Sequence, residues 1–286
     1  MEYREISVTR VTPHIGAEIG DIDLTRPLDD SQLAELKAAF AENLVLFFRD
    51  QPVSVENLRE LGMHFGTLHR HVGPSTESRQ HADYPDVRAL HFDANSAKVA
   101  GERWHTDQSC AQTPPLGSIL YLHTVPPDGG GATLFASMYA AYDALSDNMK
   151  AYLAPLTATH DGSRAFGKDA PVNVHPVIAR HPVTGRKLLY VNRGQTSHLN
   201  GIPPEESAAV LEFLYDHCAK PDFQVRFQWR AHSICFWDNR CTHHRAIWDY
   251  YPHTRSGYRV QIQGERPPVP AYGPEQATVL HADVAD

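Results

Sequence analysis

Apolar and polar residues alternate from the start of the chain. In ISVTRVTPHIGAEIGDIDL the period is two, which predicts two short strands with a turn near Pro13 and Gly16. The period then changes. In DDSQLAELKAAFAENLVLFFRDQ, Leu33, Leu36 and Phe40 form one stripe of a helix that Asp29 or Asp30 can cap. LVLFF is an unbroken apolar run and reads as a buried strand. Ser54 caps a second helix with Leu58, Leu61 and Phe65 facing inward. From Thr67 to Arg103 the chain is polar and without period. That predicts loops, with residues 72–103 as a lid or substrate pocket.

From Leu116 onward short strands dominate: GSILYLHTV, GATLFAS, RKLLYVNRG, FQVRFQWR, SICFWDN and YRVQIQGE. Turns such as PPDGGG and HPVTGRK separate them. One helix interrupts them, from about Pro204 to Cys218, with Val210, Phe213, Leu214 and His217 at helical spacing. Many short strands with turn signals predict a mainly β chain with flanking helices, a sandwich or a barrel. No repeat, low-complexity tract or linker divides it, so residues 1–286 read as one domain.

The net charge of −8 gives no electrostatic footprint for nucleic acid or an anionic membrane surface. An anion site must then be a local cluster. MEYREISVTR lacks the apolar core of a signal peptide, and no apolar run approaches membrane-spanning length. The expected protein is cytoplasmic, with no nucleic-acid or membrane partner. Its 4 cysteines include no C-x-x-C pair and read as reduced thiols.

The chemistry is carried by GERWHTDQSC. In an extended segment His105 and Asp107 point to one face, so both can reach one metal ion. A third ligand is needed, and FWDNRCTHHRA offers His243 or His244. Adjacent strand residues face opposite ways, so one of the two would reach the metal. Two histidines and a carboxylate on one face form the triad of non-haem Fe(II) oxygenases. H-x-D alone is a weak motif. Here WHTD, GGATLFAS with YAAYDALS, WDNR-x-x-x-H-R-A and R-x-x-x-R-V-x-I-x-G follow in order. With IGAEIGDIDLTRPLDD and VLFFRDQ, this resembles the TauD/TfdA family of Fe(II)- and 2-oxoglutarate-dependent dioxygenases over nearly the whole chain.

The resemblance implies a double-stranded β-helix (jelly-roll) core. It implies His105, Asp107 and His244 as catalytic metal ligands, with Fe(II), 2-oxoglutarate and O2 as cofactor and co-substrates. It implies Arg255 and Thr133 as the anchors of the distal carboxylate of 2-oxoglutarate. Arg259 shares a strand face with Arg255, and it and His71 match residues that contact the substrate's anionic group; His69 is a near neighbour of His71. Trp104 and Trp237 read as packing, Asp238 and Asn239 as turn hydrogen-bonders, and Cys110 and Cys241 as small residues near the site. The implied reaction hydroxylates a small organic anion and releases succinate and CO2. AGER before the motif, Gln195 after YVN, and HVGP all depart from taurine-type members. These departures point to another sulfonate, a sulfate ester or a carboxylate such as a phenoxy acid. Family members imply a homodimer or homotetramer. Two rival classes use the same residues: a cupin-like Zn(II) hydrolase or isomerase, which needs no 2-oxoglutarate clamp, and a non-catalytic relative, which needs no intact triad.

Overall fold

A computed structural model of the chain describes residues 2–69, 80–96 and 101–273. The opening hairpin consists of β1 (Ser7–Arg10) and β2 (Ala17–Gly20). Helix α1 (Asp30–Asn43) starts at Asp29, whose side chain accepts the N–H of Gln32 while Gln32 reaches back, a reciprocal cap. Strand β3 (Val45–Phe48) follows, and then α2 (Val55–Met63), capped the same way by Ser54 and Asn57. Next come β4 (Val87–Phe92), β5 (Gly117–Thr124), β6 (Thr133–Ser137), α3 (Met138–Asp143), α4 (Asp147–Leu153), β7 (Thr157–Asp161) and α5 (Ser163–Phe166). After these the chain forms β8 (Val172–Pro176), β9 (Ile178–Arg180), β10 (Lys187–Leu189), β11 (Thr196–Leu199) and α6 (Pro204–Cys218). The last strands are β12 (Gln224–Phe227), β13 (Ser233–Asp238), β14 (Thr242–Ala246), β15 (Arg255–Ile262) and β16 (Val269–Pro270).

A seven-stranded sheet in the order β1-β2-β3-β13-β5-β15-β4 forms the backbone of the fold. Its middle strands are buried on both faces, which is why LVLFF, SILYL and SICFW are apolar runs and not alternations. Leu46, Phe48, Ile119, Phe236 and Val260 face one way, onto Leu36 and Phe40 of α1 and Leu58 and Leu61 of α2. Val45, Phe47, Leu120, Leu122 and Trp237 face the other way, onto Phe135, Val225 and Phe227 of the small sheet β12-β6-β14. Each such side chain contributes about 1.5–3 kcal/mol by leaving water. The interior between the large sheet and this small one is where the site lies. Two more three-stranded sheets, β11-β7-β8 and β10-β9-β16, complete the strand set.

Two readings change, and one lies partly outside the described residues. Strand β4 lies within the stretch that the sequence presents as loop; it is the outer strand beside β15. Residues 72–79 and 97–100 of the expected lid lie outside the described residues. In α6 the buried stripe is Ser207, Leu211, Leu214 and Cys218, with His217, whereas Phe213 is 45% exposed. The helix is rolled so that the Nε2 of His217 reaches the carbonyl of Ala141 at 2.7 Å, which turns Phe213 outward to stack on His217. Among the described residues no helix is long and apolar enough to cross a membrane.

Candidate metal centre

Strand β14 lies against β6 with His244 opposite Phe135 and His243 opposite Ala136. Alternation therefore sends the two histidines to opposite faces. His244 points inward, its ring 4.8 Å from Trp237 and 6.0 Å from Phe135. His105 meets the same strand edge through an isolated antiparallel bridge. His105 N–H donates to the His244 carbonyl at 3.1 Å and His244 N–H donates back at 2.8 Å. Directly opposed residues put their side chains on one side, and the two imidazole centroids lie 4.1 Å apart. Asp107 completes the group. Its Oδ1 is 3.7 Å from Nε2 of His105 and 3.6 Å from Nε2 of His244.

The segment after His105 is not the strand that the i, i+2 spacing suggests; it turns at Asp107. Asn239 holds that turn. Its Oδ1 accepts from Asp107 N–H at 2.7 Å and from the Thr106 hydroxyl at 2.8 Å. Its Nδ2 donates to the carbonyls of Asp107 at 2.9 Å and Pro115 at 3.0 Å. A single buried amide thus ties the HTD segment to the WDNR turn that leads into His244. Asn239→Ala leaves the Asp107 N–H and the Asp107 and Pro115 carbonyls without this partner, while Thr106 keeps the backbone carbonyl of residue 239, and the variant is expected to bind metal about 10- to 100-fold more weakly. Metal titration of the folded variant measures this.

Burial by itself pushes the Asp107 carboxyl up, but Arg259, His244 and His105 outweigh it and hold the group well below the usual carboxylate range. The Ser118 hydroxyl donates to its Oδ2 at 2.8 Å, and the Arg259 guanidinium pairs with the same oxygen. Burial holds both His105 and His244 below the ordinary imidazole value. Nδ1 of His105 lies 2.7 Å from the Arg103 carbonyl, so that nitrogen carries the proton and Nε2 presents its lone pair. Near neutral pH the site is one carboxylate and two neutral imidazoles, their ligand atoms within 4.8 Å of one another. That donor set, without thiolate, fits Fe(II). A second group, His181, Asp238 and Cys241, is equally compact. It does not fit a metal. Arg240 grips both Asp238 oxygens at 2.8 and 2.6 Å, and Nδ1 of His181 accepts the N–H groups of Val183 and Thr184 while Nε2 donates to Asp238.

On β15, Arg255 and Arg259 share the inward face as the spacing predicts, over Trp229 and Trp237 respectively. Arg255 is 5% exposed and has no hydrogen bond or ion pair among the described residues. Burial lowers its pKa to about 10, which still leaves it charged at neutral pH. Thr133 is buried, and its hydroxyl oxygen accepts from the Trp229 indole at 3.0 Å. Gly131, at φ +75°, gives Arg255 room, because a Cβ there would come within 3.1 Å of its Cδ.

Arg259 has a second partner that its sequence reading did not include. Part of its guanidinium is engaged by Asp107 and, at 3.1 Å, by Ser118. It also lines a small open cleft with His69, Gln80, Asp86, Arg88 and Gln261. His71 lies outside the described residues. Gln195 is no pocket wall: its Oε1 accepts from Cys110 N–H at 2.9 Å and its Nε2 donates to the Thr106 carbonyl at 3.3 Å, bracing the ligand turn. Cys110 and Cys241 are buried packing residues, as expected. The sequence reading missed Ser118 and Trp229. Ser118 sits in an ordinary strand pattern and Trp229 just past the end of β12, and only their contacts with Asp107, Thr133 and Arg255 show that they face the site.

Two histidines and a carboxylate converge between two β-sheets, with a buried arginine that is unpaired among the described residues, and this is the donor set that non-haem iron oxygenases use. The chain belongs to the TauD/TfdA family, whose model, "Taurine catabolism dioxygenase TauD, TfdA family", matches residues 7–261. It is similar to the alpha-ketoglutarate-dependent sulfonate dioxygenase of Saccharomyces cerevisiae, at 36% identity over 286 residues covering 92% of this chain and 68% of the relative. It is also similar to the alpha-ketoglutarate-dependent 2,4-dichlorophenoxyacetate dioxygenase of Cupriavidus pinatubonensis, at 30% identity over 82% of this chain and 89% of that one. The crystal structure of a taurine dioxygenase from Burkholderia xenovorans superposes with a TM-score of 0.84, at 34% identity over 96% of this chain and 93% of the other. The protein is a 2-oxoglutarate-dependent dioxygenase that uses Fe(II) and O2, which sets aside the zinc hydrolase and non-catalytic readings.

Proposed function

We propose that the enzyme hydroxylates a small organic anion, a sulfonate, sulfate ester or carboxylate, at a carbon next to a heteroatom. The hydroxylated product would then release an anion and leave an aldehyde. His105, Asp107 and His244 hold Fe(II), and Arg255 and Thr133 hold the distal carboxylate of 2-oxoglutarate. Bound together, metal and co-substrate supply the activation of O2. The chain's own contribution is positional. The bridge between His105 and His244 sets the imidazoles, Asn239 sets Asp107, and the Trp237 and Phe135 rings keep water from His244. The small sheet β12-β6-β14 opposite the large one supports a double-stranded β-helix core within a single domain.

The observation that carries the substrate class is the cleft beside Asp107, where the guanidiniums of Arg259 and Arg88 lie with His69, whose charged form burial disfavours, and with Asp86, whose carboxylate is taken up by Arg59, in a protein of net charge −8. Two guanidiniums beside a buried site favour an anion. His71, outside the described residues, is a substrate contact in the same reading by its match to the family. Relatives named for sulfonates and for 2,4-dichlorophenoxyacetate agree with it. The departures in AGER and HVGP still argue against taurine, whereas Gln195 faces the ligand turn and no longer bears on the choice. In a panel of sulfonates, alkyl sulfates, phenoxy acids, neutral analogues and amines, anions are expected to stimulate succinate release. Stimulation by neutral or cationic compounds alone would contradict the proposal.

A further inference from the structure

Arg255 is not the only buried donor at the inner end of the site that lacks a partner. The Tyr250 hydroxyl is also buried with no hydrogen-bond partner among the described residues, and its residue is 1% exposed. The two side chains flank the same glycine. A Cβ on Gly131 would lie 3.1 Å from Cδ1 of Tyr250 and 3.1 Å from Cδ of Arg255. Asp249, the residue before, fixes this arrangement by accepting the Gly131 N–H at 2.7 Å. The guanidinium and the phenol are close enough to act on each other electrostatically, the cation favouring the ionised phenol against the larger effect of burial.

Arginine has donors and no acceptor, so Arg255 cannot satisfy the phenol. Both need one acceptor, and no described side chain provides it. Thr133 belongs to the same end of the site. The Trp229 indole N–H can only donate, so it occupies a lone pair of the Thr133 oxygen and leaves the hydroxyl proton of Thr133 to donate elsewhere. Three donors, one of them charged, thus lie about Gly131 and Trp229, and among the described residues no carboxylate is hydrogen-bonded to the Tyr250 hydroxyl or paired with Arg255; Asp249 is nearby but is engaged with Gly131 and Arg226. Buried donors are rarely left unmatched, and a carboxylate with its four lone-pair sites can serve all three.

We propose that Tyr250 is a third anchor of the distal carboxylate of 2-oxoglutarate, donating its hydroxyl beside Arg255 and Thr133. This rests on the reading that Arg255 holds that carboxylate. The test uses the Fe(II)-loaded enzyme without O2 and reads the visible band of the iron–oxo-acid chelate. Tyr250→Phe removes one oxygen and keeps the ring against Gly131. Its Kd for 2-oxoglutarate is expected to rise about tenfold, the loss of one charge-assisted hydrogen bond. Its Kd for 2-oxobutyrate, which chelates the same way and lacks the distal carboxylate, is expected to stay unchanged. Its melting temperature without ligand is expected to hold or rise, because an unsatisfied hydroxyl has gone. An unchanged Kd for 2-oxoglutarate, or equal weakening of both oxo acids, would overturn the proposal. Arg255→Met separates the two levels. If it too leaves 2-oxoglutarate binding intact, the underlying reading of Arg255 fails; if it weakens binding while Tyr250→Phe does not, only the role of Tyr250 fails.

Discussion

His244→Ala abolishes turnover, lowering succinate formation by about a thousandfold or more. That exceeds the ~10- to 100-fold cost of losing a group that merely supports a metal ligand. The imidazole lies inward between Trp237 and Phe135, with Nε2 directed at Asp107 and burial keeping the ring neutral. Its removal leaves one imidazole and one carboxylate, too few donors to hold an oxygen-ligated first-row ion in place. His243→Ala is the matched control. His243 is equally buried, and burial lowers its pKa to about 3, but it faces away from the triad. Its replacement is expected to cost stability and to spare the metal. Asp107→Ala should be as inactive as His244→Ala, yet it is harder to interpret. It also strips Arg259 of its carboxylate, and breaking a buried pair from one side costs about 3–5 kcal/mol. Succinate release, read beside the melting temperature of each variant, separates lost ligation from lost folding.

Arg255→Met is expected to have two effects of opposite sign. Without ligand it stabilises the fold or leaves it unchanged, because a buried cation with no counter-ion carries a desolvation cost that methionine does not. With ligand it is damaging. The guanidinium, still charged with a pKa of about 10, is the strongest anchor for a distal carboxylate. Losing one partner of such a buried charge pair typically costs about 2–5 kcal/mol, or roughly thirtyfold to a few thousandfold in Kd. Thermal melts with and without 2-oxoglutarate measure both. The wild type gains stability on adding the co-substrate with Fe(II), and the variant gains little. A variant that melted lower without ligand and kept its response to 2-oxoglutarate would mean that Arg255 is a structural residue.

The legible parts of the sequence were those where one physical rule dominates. Runs such as LVLFF and SICFW mark strands buried on both faces, and Asp29 and Ser54 mark helix starts through their caps. Alternation showed that His243 and His244 face opposite ways, and the family resemblance pointed to His244 as the ligand. Less legible were the strands outside the main core. Thr157–Asp161, Val172–Pro176 and Thr196–Leu199 carry polar residues because their inward positions hold a hydrogen-bonded network, in which His160 and Asn192 meet Ser109 at 3.0 and 2.9 Å. A pattern built on apolar residues cannot see strands of that kind. Tertiary pairing was hidden too. Nothing local shows that Gln195 turns to the backbone of the ligand loop, that Arg259 shares its charge with Asp107, or that Asn239 bridges segments 132 residues apart.

The most direct test is an anaerobic titration of the purified protein with Fe(II) and then 2-oxoglutarate, followed in the visible range. A weak charge-transfer band is predicted, saturating at one equivalent of metal in the wild type and absent in His244→Ala. A correctly folded wild-type protein that binds Fe(II) and 2-oxoglutarate without the band, or one whose band survives His244→Ala, would contradict the assignment of the triad.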